Sequence, residues 1–594
     1  MEVSRNRFQA TSLYWWGAAA AGLGLCLALL AHGGARGLYC DDYNFKGTLT
    51  DLATGEWKPR LILDPYSRPL GKPVMANLAA AIPDREVPVR VLLALLHCTN
   101  AILVGLFAYR LVPSPLAALF AVLFFLVPVP AHESLLWLVA AGVSTLGAMM
   151  FLIALQVLWR ALEGGRWWVA QALVGGVCLV LGLATYEQAA VGIGLIPFLA
   201  LVIVWGQEGP QRRGTILRAA LLTVGGLVVA WLYWFLLLSR AQVIGDRGGL
   251  EVNFYKLLTS RIPKVFHEAQ LLTLGEWGLG GMWQCLALLG IRQIAQAPVE
   301  LCLLGALICV LIGLVASSSR AVVGDSPSPP VARHSTGLFG IGIVLVVAAF
   351  IPAVVIRGQG VAPRMLYFPW IGFTLAVTAT LEYLVRMLTR RTWWPGRAVI
   401  LGVGLVYLAG VLTLRGFAHL YHLRSEHDQR QIAALVRAVP SLPPDTKVVL
   451  LPVQLDEYAV RFVTGTESPA DKLLYGVFEH QWSAAPAMQM VYRRPNIEAV
   501  TSHHWTHLCF SAVHSLPNGD TDQIVVNGSQ VATNQLLAFT YEPDRVLLIN
   551  PLILVGADGT EISVALPLVE RVRTAAAVVT SMRLKLAPRP EACR

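Results

Sequence analysis

Charge is what this sequence has least of. Of 594 residues only 14% are Asp, Glu, Lys or Arg, while 56% are hydrophobic; a soluble chain carries about 25% charge. Too little polar surface is left to solvate a water-soluble protein of several domains, and the mean hydropathy of +0.60 agrees. Redox and metal punctuation is also missing. The nine cysteines form no C-x-x-C pair, and Cys26, Cys98, Cys178, Cys302 and Cys309 fall in apolar runs, where a thiol packs as a small apolar group. Cys40, Cys509 and Cys593 lie outside those runs, and their spacing assigns no disulfide. His419, His422 and His427, and His503, His504 and His507, lack the spacing of a two-His helix motif with a catalytic Glu, so no metal site is expected. Repeats of 20 to 50 residues are absent too. The formal charge of +10, from 46 Lys+Arg against 36 Asp+Glu, comes without a basic tract interleaved with aromatics, which excludes a nucleic-acid binder.

What is abundant is length of apolar run. Runs of about 17 to 25 residues, enough to cross a bilayer, fall at 12–32, 88–109, 114–130, 134–158, 168–185, 187–205, 215–238, 298–317, 337–356, 366–388 and 396–414. The expected fold class is a polytopic α-helical membrane protein of about eleven spans. The first run lacks a small-residue cleavage site and is read as an anchored helix. Arg5 and Arg7 precede it, and Arg160, Arg166, Arg212, Arg213, Arg386, Arg390, Arg391 and Arg397 fill alternate connections, which marks these as cytoplasmic. Trp15-Trp16, Trp167-Trp168 and Trp393-Trp394 fit anchors at that interface. Counting 271–290 as a span would put the last Arg cluster outside, so that stretch is read as an interfacial or partly inserted helix.

The N-terminus is then cytoplasmic. The extracytoplasmic parts are the loop 33–87, the connections at Pro128 to Ser134 and at Tyr186-Glu187, the loops 239–297 and 357–365, and everything after about residue 415. This gives a membrane domain over 1–415 and a soluble extracytoplasmic domain over 416–594. A polar helix opens the second with His419, His422, Arg424, Glu426, His427, Asp428 and Arg430, and Pro440 and Pro443-Pro444 end it. Strand-like runs at Lys447 to Val453 and Arg545 to Ile549, and a tight hairpin signalled by Asn527-Gly528, predict a mixed α/β domain.

Chemistry is sought on the outer face. Asp41-Asp42 follow the first span directly; neighbouring side chains point different ways, so one can face a substrate while the other holds backbone or an Arg. A solvated loop or helix cap is the plain alternative. Arg68, held extended by Pro69, can fork onto a phosphate or pair with lipid headgroups. His132-Glu133 and Glu187 place carboxylates at outer helix boundaries. Glu133 reads as a cap for the following helix, and Glu187 as an acid facing an interior polar cavity. Arg357 and Arg364 flank a Gly/Pro turn above a span, suited to an anionic headgroup or to snorkelling. His97 and Asn100 are the main mid-span polar residues.

In chain order, Asp41-Asp42, Arg68-Pro69-Leu70, His132-Glu133, Glu187, and the string Arg364-x-Leu366-Tyr367-x-Pro369-x-x-Gly372-Phe373 resemble the GT-C glycosyltransferases. The likeness is closest to the membrane region of the tetratricopeptide-repeat O-mannosyltransferases and to protein O-mannosyltransferases, and it covers roughly residues 10–415. It implies an integral membrane enzyme that passes a sugar, usually with inversion, from a polyprenyl-phosphate carrier to an acceptor on the outer side; the sequence leaves open whether that acceptor is a protein, lipid or glycan. On that reading Asp41 is the base and Asp42 orients it or the acceptor; Arg68 or Arg364 holds the donor phosphate, with Arg357 beside them as a further donor-binding residue; His132, Glu133, Glu187 and Tyr367 support them. Membrane lipids are the other partners, and the residues leave open whether a divalent cation assists. The missing repeat domain means that the acceptor does not transfer. A transporter or flippase is the competing class, although few charges lie within the spans; a receptor or scaffold would leave the acidic pair unexplained. The Ala, Gly and Arg-rich composition suggests a bacterial plasma membrane.

Overall fold

The computed structural model describes residues 16–30, 68–81, 86–205, 207, 209–233, 253–274, 281–321, 330–355, 361–389, 394–450, 481–501, 510–515, 521–526, 529–542, 545–555 and 559–585. The described residues fall into two compact units, one holding 16–30, 68–75 and 87–419, the other 76–81, 86 and 420–585.

The first unit is helical throughout. Among the described residues nine helices are long and apolar enough to cross a membrane, and three shorter apolar helices accompany them: Trp16–Leu29, Pro115–Ala131 and Leu286–Ala295. The chain is a membrane protein. The helices that lie in the first unit wholly or in part, α2 only up to residue 75 and α14 only up to residue 419, are α1 (Trp16–Leu29), α2 (Gly71–Ala81), α3 (Glu86–Leu111), α4 (Pro115–Leu126), α5 (Leu138–Glu163), α6 (Trp168–Thr185), α7 (Val191–Val204), α8 (Gly209–Tyr233), α9 (Ile262–Leu274), α10 (Gly281–Ala295), α11 (Pro298–Ala321), α12 (Pro330–Ala349), α13 (Tyr367–Thr389) and α14 (Trp394–Ala438). Local chemistry sets their ends. Pro115 stands at the start of α4, after an extended Ser114, where a missing N–H costs nothing. Pro128 and Pro130 stop α4 short of the run expected to reach 130, and a 3-10 turn, Val129–Ala131, follows. Gly164, at φ 88°, ends α5, a conformation that suits glycine. The run expected to end at 414 does not end there: α14 continues without a break to Ala438, just before Pro440. The expected interfacial helix over 271–290 falls on the end of α9 and most of α10, with 275–280 outside the described residues.

Close crossings fix the packing. A Cβ on Gly342 of α12 would lie 2.6 Å from the Gly372 carbonyl of α13, and one on Gly372 would lie 2.5 Å from the Gly342 carbonyl. The backbones touch because neither residue has a side chain, as in small-residue packing of membrane helices. Elsewhere, Arg415 of α14 forks onto Glu300 of α11 at 3.1 and 3.0 Å, both buried.

The second unit is a mixed α/β domain. Its main sheet runs β2 (Glu498–Thr501), β1 (Lys447–Leu450), β6 (Leu536–Glu542), β7 (Arg545–Val555), β8 (Glu561–Val564). β1 is parallel to β2 and β6; β7 is antiparallel to β6 along its first residues and to β8 along its last. β9 (Val578–Lys585) lies parallel to β7. β3 (Phe510–Ser515), β4 (Thr521–Val526) and β5 (Ser529–Ala532) form an antiparallel sheet of three. Val526 pairs with Ser529, so two residues join β4 to β5, as the Asn-Gly signal predicts. Val448, Leu537, Phe539, Leu548 and Leu552 are buried in its core.

Candidate functional site

Four short segments at helix boundaries of the first unit converge. The first begins with Arg68. Its neighbour Leu70 donates its backbone N–H to the Ala184 carbonyl at 3.0 Å, and Gly71 approaches the Thr185 carbonyl so closely that a Cβ there would collide with it. This contact lays the Arg68 segment along the end of α6. Here Tyr186 is extended (φ −148°, ψ 122°), which breaks the apolar stretch into α6 and a 3-10 turn, Glu187–Ala190. Gly147 of α5 makes room for it, since a Cβ there would lie 2.9 Å from the Tyr186 Cβ.

Arg68 and Glu187 are thereby brought face to face. Arg68 Nε donates to Oε2 and Nη2 to Oε1, both at 2.6 Å, a bidentate fork. The guanidinium lies over the Tyr186 ring, 4.8 Å from its centroid, within cation–π range. Burial disfavours the Arg68 cation, but Glu187, through charge and hydrogen bond, outweighs that and holds the guanidinium above its ordinary range.

The second pair comes from the other two segments. Pro363 starts a 3-10 turn, Pro363–Leu366, after an extended Ala362, and this turn presents Arg364. Glu133 opens a one-turn helix, Glu133–Leu136. Arg364 Nη1 donates to Glu133 Oε2 at 2.8 Å and its backbone N–H approaches the same oxygen at 3.4 Å, while Ser134 Oγ donates to the Arg364 carbonyl at 3.0 Å. The Arg364 guanidinium stands 5.0 Å from the Trp137 ring centroid. The two arginines are therefore built alike, each on a carboxylate and an aromatic face. Glu133, read from sequence as a cap, is instead the buried counter-ion of Arg364.

Further contacts tie the pairs into one cluster. Gln188 donates to the Ala349 and Met365 carbonyls at 3.2 and 2.9 Å, stitching the Glu187 turn to the Arg364 turn. Tyr186 packs against Phe368, ring centroids 5.8 Å apart. Its phenol, pushed up to about 12 mainly by burial, also feels the charges of Arg68, Glu187, Arg364 and Glu133. His132 stacks on Phe417 at 3.8 Å and 8°; burial, only partly opposed by the Val129 carbonyl, lowers it to about 3, so it is neutral. Below the cluster, His97 Nε2 donates to the Leu126 carbonyl at 3.3 Å, which leaves Nδ1 to accept from the Tyr367 hydroxyl at 2.7 Å. Asn100 donates to that hydroxyl at 3.2 Å and to the Thr145 carbonyl at 2.8 Å.

Arg68, His132, Glu133, Glu187, Arg364 and Tyr367 are thus gathered from distant parts of the sequence. Asp41, Asp42 and Arg357 lie outside the described residues. Sequence reasoning did not single out Tyr186, Trp137 or Gln188, although each stands within four residues of a carboxylate it did single out. Among the described residues, no group of three or more His, Cys, Asp or Glu could hold a metal ion.

No family model matches the chain, and no curated protein matches it. Among solved structures, ArnT from Cupriavidus metallidurans in the apo state has a TM-score of 0.32 at 17% identity, over 78% of this chain and 87% of that one. ArnT from the same organism bound to undecaprenyl phosphate has a TM-score of 0.30 at 15% identity, over 82% and 89%. Likeness at this level carries neither fold nor function across.

Proposed function

We propose that this chain is an integral membrane glycosyltransferase of the GT-C type, which moves a sugar from a polyprenyl-phosphate carrier to an acceptor on the extracytoplasmic side with inversion. The observation that carries the reading is the convergence of Arg68 and Arg364, each on a carboxylate and an aromatic face, at one end of a bundle of membrane-crossing helices. A lipid phosphate arriving from the bilayer meets there two cations with fixed planes.

The chemistry follows from the leaving group. Displacement at an anomeric carbon that expels a phosphate needs positive charge on the departing oxygens more than a general acid, and it needs one base for the acceptor proton. Arg68 and Arg364 supply the charge, joined by Arg357. Asp41 is the base and Asp42 orients it or the acceptor. The acceptor is a protein, lipid or glycan, and the domain over 416–594 faces the same side. A transporter would need polar side chains along a water path, whereas His97, Asn100 and Tyr367 are fully buried and bonded to one another and to backbone.

Transfer of radiolabelled sugar from polyprenyl-phosphate sugar in reconstituted vesicles tests this. Asp41→Asn is expected to fold, bind donor and transfer nothing, and unchanged turnover would sink the assignment. Arg364→Ala should weaken donor binding more than Asp41→Asn does; equal donor affinity removes Arg364 from the site.

A further inference from the structure

The two ion pairs differ in one respect that gives them different duties. Arg68 and Glu187 are both partly open, with side-chain exposures of 27% and 31%. In the other pair Arg364 is 34% exposed but Glu133 only 1%. A carboxylate sealed in protein cannot lose its counter-ion without a heavy desolvation penalty, whereas one at a half-solvated rim can turn to water. Glu133 is also bound to the Arg364 backbone N–H, and Ser134 beside it grips the Arg364 carbonyl. Arg364 can therefore offer an arriving anion its exposed edge, but it keeps Glu133.

Arg68 is placed otherwise. Its Nε and Nη2 fork is filled by Glu187 at 2.6 Å on both arms, the geometry in which a guanidinium also takes a phosphate. The Tyr186 face, 4.8 Å away, holds the guanidinium independently of Glu187, so the fork keeps its orientation if the carboxylate departs. With both pairs closed, these four side chains carry two cations against two anions, and Glu187 fills the Arg68 fork; vacating that fork opens it to an anion.

Resting on the function proposed above, we propose that Glu187 is an exchangeable stand-in for the lipid phosphate: it occupies the Arg68 fork in the empty protein and yields it to polyprenyl phosphate, while Glu133 stays on Arg364. Glu187 then competes with the donor and sets its affinity, and Glu133 is a fixed post.

The test is titration of the detergent-solubilised full chain with a short-chain polyprenyl monophosphate, with inorganic phosphate alone as a second arm. Glu187→Gln should bind the lipid phosphate about two- to fivefold more tightly than wild type, the fold-change of a half-exposed ion pair. The same substitution made in an Arg68→Ala background should change nothing. Glu133→Gln should bind more weakly or fail to fold. Unchanged or weaker binding by Glu187→Gln, tightening in the Arg68→Ala background, tightening by Glu133→Gln, or a gain seen with inorganic phosphate and not with the lipid would each overturn the inference. Absence of binding by the wild type removes the proposed function as well, whereas wild-type binding without a gain in Glu187→Gln removes the inference alone.

Discussion

At the scale of single residues, the arginines of this cluster owe their usefulness to what surrounds them. A bare guanidinium at a membrane surface finds headgroups and water anywhere. One that is pinned by a carboxylate and flattened on a ring presents its remaining donors in a fixed plane, as Arg68 does on Glu187 and Tyr186 and Arg364 on Glu133 and Trp137. The support reaches one layer deeper at Tyr367, the first residue of α13 and the third after Arg364. Its hydroxyl donates to His97 Nδ1 and accepts from Asn100. Tyr367→Phe keeps the ring and removes only that hydroxyl, which strands two buried polar groups. The expected cost is about 1–3 kcal/mol, read as a lower thermal unfolding midpoint in detergent. A midpoint equal to that of the wild type would mean that the hydroxyl supports nothing.

At the scale of elements, the site depends on helix ends being brought to one place, and glycine crossings do much of that. Gly342 and Gly372 let α12 and α13 meet backbone to backbone, five residues along α13 from Tyr367. Gly372→Val would force the two helices apart, at about 1–3 kcal/mol of overpacking, and would shift the Arg364 turn with them. Lower stability together with weaker polyprenyl-phosphate binding is expected; a fall in stability with donor binding intact would uncouple the crossing from the site. The elements themselves were largely legible in the sequence, because apolar length and Pro, Gly and Trp at run ends report directly on spans. The β4–β5 hairpin was legible from two residues. The length of α14 was not, since no breaker stands between the apolar half and the polar half until Pro440. The pairing was also hidden: Arg68 and Glu187 are 119 positions apart, and Glu133 and Arg364 are 231 apart, and no periodicity links such positions. Sequence could name four charged residues at helix boundaries but could not tell which neutralises which, and so read Glu133 as a cap.

At the scale of the whole molecule, a chain with 14% charge places part of that small supply in pairs where its helices end, while the long helices of the first unit expose apolar side chains. Exposed Leu173, Leu201, Leu217, Val224, Leu227 and Trp231 are ordinary on that surface, since hydrocarbon is their solvent. Within it, an ion-paired cluster is costly unless it has work to do, and the account gives it one task, seating the phosphate of a lipid-borne sugar. The most direct measurement is the initial rate of sugar transfer in reconstituted vesicles as polyprenyl-phosphate sugar is raised, for wild type and for the Arg68→Ala/Arg364→Ala double variant. The account predicts saturable transfer by the wild type, and for the double variant a rate that is at least about a hundredfold lower at equal donor, the effect of removing two charge-assisted contacts. Transfer by the double variant at the wild-type rate and donor dependence would contradict it.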